Sequence, residues 1–253
     1  MSSKTRYSKF DAFAFSYIDE GIESSNIWLV LMEKIILKHL PKDAHILDLC
    51  CGTGELVQRL QIKGYQAIGL DGSEEMLHYA HKNTTGCKFI LDDARFFKLP
   101  PTFHAVVSAH NSLTYVTKLE ELTSVFQNVY AALMENGWFA FDLSQEERMK
   151  RDTSTSNFAD DFAIIQSHSY NSQEKIGSET FVIFRLIDGG WQRSDTTLIQ
   201  RPYSIAEVQS ALERVGFTEI SFYDAERDLG VDGMAERILY ICRKPLSSHN
   251  NPT

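Results

Sequence analysis

The chain is poor in the features that mark several functional classes. It has four cysteines, Cys50, Cys51, Cys87 and Cys242, and their spacing matches neither a zinc site nor a disulfide framework. Free thiols in a cytoplasmic protein are the expectation. Positive charge is scarce as well: 25 Lys and Arg against 34 Asp and Glu leave a formal net charge of −9. An acidic surface repels phosphate backbones, and the basic residues are scattered, so no nucleic-acid partner is expected. No long apolar run is present. The most apolar early stretch, Ile27 to Leu37, is broken by Glu33 and Lys34 and is too short to span a bilayer, which argues against a membrane partner. The opening MSSKTRYSKFDAF lacks the apolar segment of a secretory signal. What is there is an ordinary globular composition, 43% hydrophobic and 23% charged. Its 253 residues can form one sizeable core, or a core with an inserted subdomain.

Along the chain, short apolar runs alternate with helical periodicity. Ser24, Ser25 and Asn26 suggest caps for a helix over Ser25 to His39, stopped by Pro41. His45 to Leu49 reads as a strand, Glu55 to Lys63 as a helix, and Gln66 to Leu70 as a strand. Ser73 then caps a helix to about Lys82. Cys87 to Leu91 and Ala105 to Ala109 read as strands, and Thr117 with Glu120 has the spacing of a capping box. Asn136-Gly137 suggests a turn into a strand over Trp138 to Leu143. This alternation implies a parallel sheet with right-handed crossovers. After Gln145 the rhythm changes. Phe162 to Tyr170, Gly177 to Ile187 and Trp191 to Gln200 read as three strands, with a hairpin at Asp188-Gly189-Gly190. Ser204 and Glu207 form another capping box, and Thr218 to Tyr223 with Arg237 to Arg243 closes the chain as a strand pair.

The chemistry concentrates in ILDLCCGTG, residues 46–54, where an apolar strand enters a Gly-x-Gly turn and then a helix. Ligands of open α/β sheets bind outside the carboxyl ends of the strands, near such a turn. Dinucleotide enzymes carry a third glycine three residues after the second, for pyrophosphate approach and helix packing. That position is Val57, which disfavours an NAD(P)-type oxidoreductase. Asp71, ending the second strand, stands where a carboxylate can accept ribose hydroxyls, and Met76 one turn later can pack on adenine. Asp92-Asp93-Ala94 ends the third strand, where a carboxylate can meet an adenine amino group. Neighbouring strand residues face opposite ways, so Asp92 and Asp93 make a poor metal pair, and no metal is expected.

With these motifs the sequence resembles the class I S-adenosylmethionine-dependent methyltransferases. The resemblance rests on ILDLCCGTGEL (46–56), GLDGSEEML (69–77), LDDARFF (91–97), AVVSAHNSLTYV (105–116) and LMENGWFAFDL (133–143). It looks most like the small-molecule methyltransferases whose antiparallel insertion covers the active site. FDAFAFSY (10–17) is similar to their entry segment. The resemblance implies a Rossmann-like, doubly wound, mostly parallel seven-stranded α/β sheet with an antiparallel insertion as a small lid. The expected division is 1–44 as a helical segment over the cofactor, 45–145 and 201–245 as the core, 146–200 as the lid and 246–253 as a tail. It implies S-adenosyl-L-methionine as cofactor, with Asp48, Cys51, Gly52 and Gly54 around its methionine part. Asp71 and Gly72 would hold the ribose, Met76 would flank adenine, and Asp93 with Ala94 would read its edge. Tyr7, Phe13 and Tyr17 would close over the ligand. His110, Asn111 and Ser112, after the fourth strand, would face the sulfonium and the substrate. The Asn/Asp-Pro-Pro-aromatic run of the nucleic-acid and protein amide methyltransferases is missing there.

Methyl transfer from a sulfonium is an in-line displacement in which alignment does most of the work. A base is needed only for an acceptor whose proton is held too tightly. His110 and His168 are the candidates, and Tyr170, Arg201 and Tyr203 could line the substrate cavity. The expected reaction is methylation of an oxygen or nitrogen of a small metabolite. An NAD(P)-type oxidoreductase and a catalytically silent cofactor-binding module are the alternatives. Neither the acceptor nor the oligomeric state is legible.

Overall fold

A computed structural model describes residues 3–151, 153–232 and 234–247, with side chains at all of these except 3–6 and 18–24. The expected tail lies outside the described residues from 248 onward.

The main sheet has seven strands: β1 (His45–Leu49), β2 (Gln66–Asp71), β3 (Lys88–Leu91), β4 (Phe103–Ser108), β5 (Leu133–Ser144), β10 (Thr218–Asp224) and β11 (Arg237–Arg243). The separate antiparallel sheet has β6 (Ser154–Phe158), β7 (Phe162–Asn171), β8 (Ile176–Ile187) and β9 (Gly190–Gln200). The helices are α1 (Ser3–Asp11), α2 (Tyr17–Ile35), α3 (Glu55–Ile62), α4 (Glu74–Asn83), α5 (Leu119–Ala132), α6 (Glu146–Met149) and α7 (Ile205–Val215).

The main sheet runs in the order β10-β11-β5-β4-β1-β2-β3, and β11 pairs antiparallel with both its neighbours. Strand alternation explains why both faces are covered. Leu47 and Leu49 enter one core with α5 and α7 residues such as Phe126, Val129 and Leu212. Ile46, between them in pleat, enters the opposite core with Trp28 and Leu31 of α2 and Val57 and Leu60 of α3. The chain leaves β1 outward through β2 and β3, then returns to place β4 on the other side of β1. This reversal opens a crevice at the carboxyl ends of β1 and β4, where doubly wound sheets bind ligands.

The second sheet shows the period of two that one covered face demands: burial along β8 alternates through Gly177, Glu179, Phe181 and Ile183. Its inner face packs on the N-terminal segment, where the Phe13 and Phe181 rings stack with centroids 4.5 Å apart. The hairpin from β8 to β9 is a two-residue turn in which Asp188 and Gly189 both have positive φ, 51° and 78°. That is the type I′ geometry that suits strand twist.

Three local expectations fail for identifiable reasons, and one strand was not foreseen. The first long helix begins at Tyr17, and Ser25 caps nothing. It is buried inside the helix and accepts a hydrogen bond from Arg59 Nε at 2.7 Å. The Thr117–Glu120 box does not form, because α5 starts one residue later, behind Lys118, with no side-chain cap. Asn136-Gly137 is an irregularity inside β5 and not a turn before it. Asn136 N and Gly137 O bond across to Lys244, which holds both residues in the sheet. Finally, β6 gave no signal, because STSNF is exposed throughout and lacks apolar alternation.

The Ser204–Glu207 box does form, with both reciprocal bonds, ahead of the buried Val208, Ala211 and Leu212 of α7. Ser204→Ala is therefore expected to cost about 1 kcal/mol of unfolding free energy. Thr117→Ala, which removes no cap, should cost clearly less in the same urea titration.

Candidate active site

The site is assembled from the turns that follow β1, β2, β3 and β4. After β1 the backbone keeps bonding across to β2: Cys50 N and Cys51 N donate to Leu70 O at 2.7 and 3.1 Å. The turn passes through the left-handed region at Cys50, Gly52 and Gly54, φ 63°, 53° and 86°. The two glycines serve different ends. Gly52 opens onto the cavity, and a Cβ there would meet no atom within 4 Å. Gly54 faces inward, where a Cβ would lie 2.7 Å from the Phe89 ring. It sets α3 against β3 and does not line the cavity. Cys51 lines it, but its Sγ would sit 2.6 Å from a Cβ on Gly69, so its thiol is packed against β2. Val57, at the third-glycine position, is fully buried in the core.

Asp71 locks this turn to β2. Its carboxylate accepts from Gly52 N at 2.9 Å and Ser73 N at 2.8 Å. Burial raises its pKa, opposed by those backbone donors. Asp48, 2% exposed, is raised well above the carboxylate range by burial and then by Asp71 and Glu55. Glu55 Oε2 accepts from Thr53 at 2.8 Å, and the carboxylate also meets the Asn83 side chain. The cavity floor is therefore lined by three carboxyl groups.

Helix α1 lies across this floor. A Cβ at Gly72 would fall 2.2 Å from the Tyr7 ring, so the missing side chain at 72 is what admits the aromatic. The Tyr7 hydroxyl hydrogen-bonds to Asp93. Ser73 Oγ donates to Asp11 at 2.5 Å and accepts from Met76 N at 3.0 Å as the cap of α4. Met76 is buried and lines the cavity, as do Ala94, Phe13 and Tyr17. Asp93 also lines it, with its carboxylate already gripped by Arg95 at 2.9 and 2.6 Å. Burial alone would raise the Asp93 pKa, but Arg95 and Tyr7 outweigh it and hold it below the usual range. An incoming ligand would share this carboxylate with Arg95. Asp92 faces solvent, and no metal-binding cluster is found among the described residues.

Beyond β4, His110 and Asn111 are consecutive left-handed residues, φ 63° and 62°. Asn111 holds that conformation through β5: its N donates to Asp142 Oδ1 at 2.8 Å, and its Oδ1 accepts from Ser144 N at 2.5 Å. His110 lines the cavity, with its pKa lowered to about 3 by burial and then by Arg237. Ser112 lines it too, its hydroxyl donating to Ala109 O at 2.7 Å.

His168 reaches the cavity from the lid, on the rung of β7 opposite Glu179. Glu179, 5% exposed, is the hub of a network the sequence reading missed. Its Oε2 accepts from Tyr115 and Gln200, both at 2.7 Å, and its Oε1 accepts from Gln166 and lies 3.4 Å from His168 Nε2. The signal was present: Glu179 shares the strand parity of Phe181 and Ile183. Arg148 and Arg237, also missed, line the opposite corner.

Three expected substrate contacts do not reach the cavity. Tyr203 is turned into the core, donating its hydroxyl to Val116 O at 2.5 Å. Arg201 is drawn away by Glu207 at 2.8 Å and stacks on Tyr203. Tyr170 pairs with Gly177 at the end of β7, beyond Met149, which closes the cavity there. The cavity left between floor, α1 and lid measures about 1220 Å³. This is more than a single small ligand usually takes.

A family described as "Methyltransferase domain" matches residues 46–137. The protein named "Putative methyltransferase YqeM" of Bacillus subtilis is 30% identical over 221 residues, covering 83% of this chain and 88% of that one. A Streptomyces venezuelae protein named dTDP-3-amino-3,4,6-trideoxy-alpha-D-glucopyranose N,N-dimethyltransferase is 33% identical over 116 residues, 44% of this chain and 47% of its own length. The crystal structure of an S-adenosylmethionine-dependent methyltransferase from Clostridium acetobutylicum superposes with a TM-score of 0.74 at 21% identity, covering 94% of this chain and 99% of that one. The matched segment begins on β1 and runs through the glycine turn, Asp71 and Asp93 into β5. The chain belongs to the class I S-adenosylmethionine-dependent methyltransferases.

Proposed function

We propose that this enzyme methylates a nitrogen or oxygen of a small-molecule metabolite by in-line displacement. The observation that carries the reading is the roofed cavity of about 1220 Å³, with a carboxylate floor at one end and a separate polar wall at the other. A cavity so enclosed by α1 and the antiparallel sheet suits a small acceptor better than a polymer. The sugar N,N-dimethyltransferase among the relatives favours nitrogen, although that likeness spans only 44% of this chain. Four free thiols suit a reducing compartment, which supports a cytoplasmic reaction in this reading.

The floor fits the cofactor. The charge that backbone donors hold on Asp71, beside the Asp48 and Glu55 carboxyl groups of the floor, favours a cationic ligand there. Gly52 leaves open space for the ligand to approach the backbone. In this reading Asp48, Cys51 and Gly52 surround the methionine part, with Cys51 contributing backbone. Asp71 and Gly72 meet the ribose, Met76 flanks adenine, and Asp93 with Ala94 meets its edge. Gly54 acts through packing. Tyr17 and Phe13 cover the ligand, and Tyr7 has to shift or stack, since its ring stands on Gly72.

S-adenosylmethionine supplies a methyl group already activated on sulfur. The chain's own residues align the acceptor and exclude water, which is where most of the rate gain of such a displacement arises. His110 is neutral at working pH, and a base whose pKa is about 3 takes up a proton poorly. It therefore serves as a hydrogen-bonding group that orients the acceptor beside Asn111 and Ser112. His168, fixed between Gln166 and Glu179, faces the same space from the lid.

Asp71→Ala removes the acceptor that ties Gly52 to β2. It is expected to weaken S-adenosylhomocysteine binding by about 1–3 kcal/mol in calorimetry. Unchanged affinity would remove Asp71 from the cofactor site. His110 generates a pH prediction. Its folded pKa, about 3, lies below the ordinary value of 6.5, so between these pH values the unfolded chain binds a proton that the folded chain does not. Stability from this group is thus full above pH 6.5 and is lost as pH falls toward 3. His110→Asn, which tolerates the left-handed backbone, should flatten the dependence between pH 7 and 4 in urea titrations. Parallel curves for the two proteins would contradict it.

A further inference from the structure

The floor of the cavity is acidic, but one corner is not. Arg148, on α6 just after β5, and Arg237, at the start of β11, both line the cavity beside His110 and Ser144. Their N–H groups are largely unspent. Arg237 reaches Asp142 Oδ2 only at 3.4 Å, and its Nε is buried with no partner. Arg148 gives Nη1 to the Ala235 carbonyl at 3.3 Å. The nearby acids offset the pair only in part: Asp142 takes Asn111 N on Oδ1 and the long Arg237 contact on Oδ2, and Glu236 takes Arg151 on Oε1, its Oε2 being buried without a partner. Burial lowers the Arg148 pKa, and the neighbouring Arg237 lowers it further, so the two like charges face each other across incompletely neutralised space.

A guanidinium presents five donors in a planar fork that matches the oxygens of a carboxylate or phosphate. An anion in this corner would accept from the guanidinium N–H groups that face the cavity and relieve the repulsion between the pair. We propose that Arg148 and Arg237 form an anion subsite that holds a carboxylate or phosphate group of the methyl acceptor next to His110. The inference rests on the small-molecule reading above and narrows it to an anionic acceptor. It also accounts for two opposite charge environments in one cavity: carboxylates under the cationic cofactor, and guanidiniums under the acceptor.

The test uses the full chain loaded with S-adenosylhomocysteine and calorimetric titration with inorganic phosphate, pyrophosphate and succinate. Saturable binding of at least one anion is expected, and which one binds separates the phosphate from the carboxylate source. Arg148→Met should weaken it by about tenfold or more, the loss typical of a charge-assisted bond. Arg193→Met is the control, since Arg193 is exposed on the lid hairpin and paired with Asp195. Should Arg148→Met unfold, Arg237→Lys carries the same readout, because it keeps a charge toward Asp142 but loses the fork. No saturable binding by the wild type, or equal binding by the variants, overturns the proposal. Loss of S-adenosylhomocysteine affinity in Arg148→Met also overturns it, because the arginine would then hold the cofactor's own carboxylate. A wild-type chain that does not bind S-adenosylhomocysteine would instead refute the cofactor placement itself.

Discussion

The Asp71 carboxylate accepts from Gly52 N and Ser73 N, and with those two bonds it joins the turn after β1 to the turn after β2. Everything else in the site is placed relative to that joint. Gly52 faces the cavity because its N–H is turned toward Asp71. Ser73, held on the other side, caps α4 and brings Met76 to the wall. The same serine receives α1 through Asp11, so the covering helix is anchored to the joint it covers. Burying this carboxylate is unfavourable in itself, as its raised pKa records. The backbone donors around it are what keep the charge in place.

The lid is tied down by a second buried carboxylate. Glu179 sits on β8 but bonds to Tyr115, which belongs to the loop following β4, and to Gln200 on β9. A neutral apolar contact could hold sheet against sheet equally well. A carboxylate with donors from three segments also fixes their relative register, because sliding any one of them strands a buried charge. The apolar half of the same interface, Phe13 on Phe181 and Phe10 on Tyr115, supplies area without direction. The roof over the cavity thus combines a directional hub with a non-directional seam.

Much of this was legible in the sequence, and the reasons differ by residue. The parallel strands announce themselves because they are buried on both faces and read as unbroken apolar runs. Asp71 and Gly52 were legible because turn chemistry and strand ends dictate where a ligand can approach a doubly wound sheet. Positions that face the crevice from these turns are fixed by local backbone, and so they travel with the motif. The rest of the cavity is built by tertiary contact, and there the reading faltered. Arg201 and Tyr203 were reasonable candidates by type, but Glu207 lies two turns along the same segment and claims the arginine first. Glu179 looked like one more acid on a strand until its parity placed it with Phe181. Arg148 and Arg237 are separated by almost the whole lid and closing helix, and no local pattern could bring them together.

The positions of the charges constrain the chemistry more than the fold does. In the proposed placement a sulfonium near Asp48 would gain from the acidic floor while positive, and that gain would diminish on methyl transfer. Unopposed, this would stabilise the ground state and slow the reaction, since only interactions that strengthen toward the transition state accelerate it. Burial offsets part of the effect. It raises the Asp48 pKa well above the carboxylate range, so this group need not carry full charge. The compensating interaction has to come from the acceptor side, where a nitrogen nucleophile becomes more positive as the bond to carbon forms. Glu179 and the neutral His110 imidazole border that side, and neither opposes such a charge. The low pKa of His110 follows from its burial and then from Arg237, and it keeps a further positive charge from joining the two arginines in this corner.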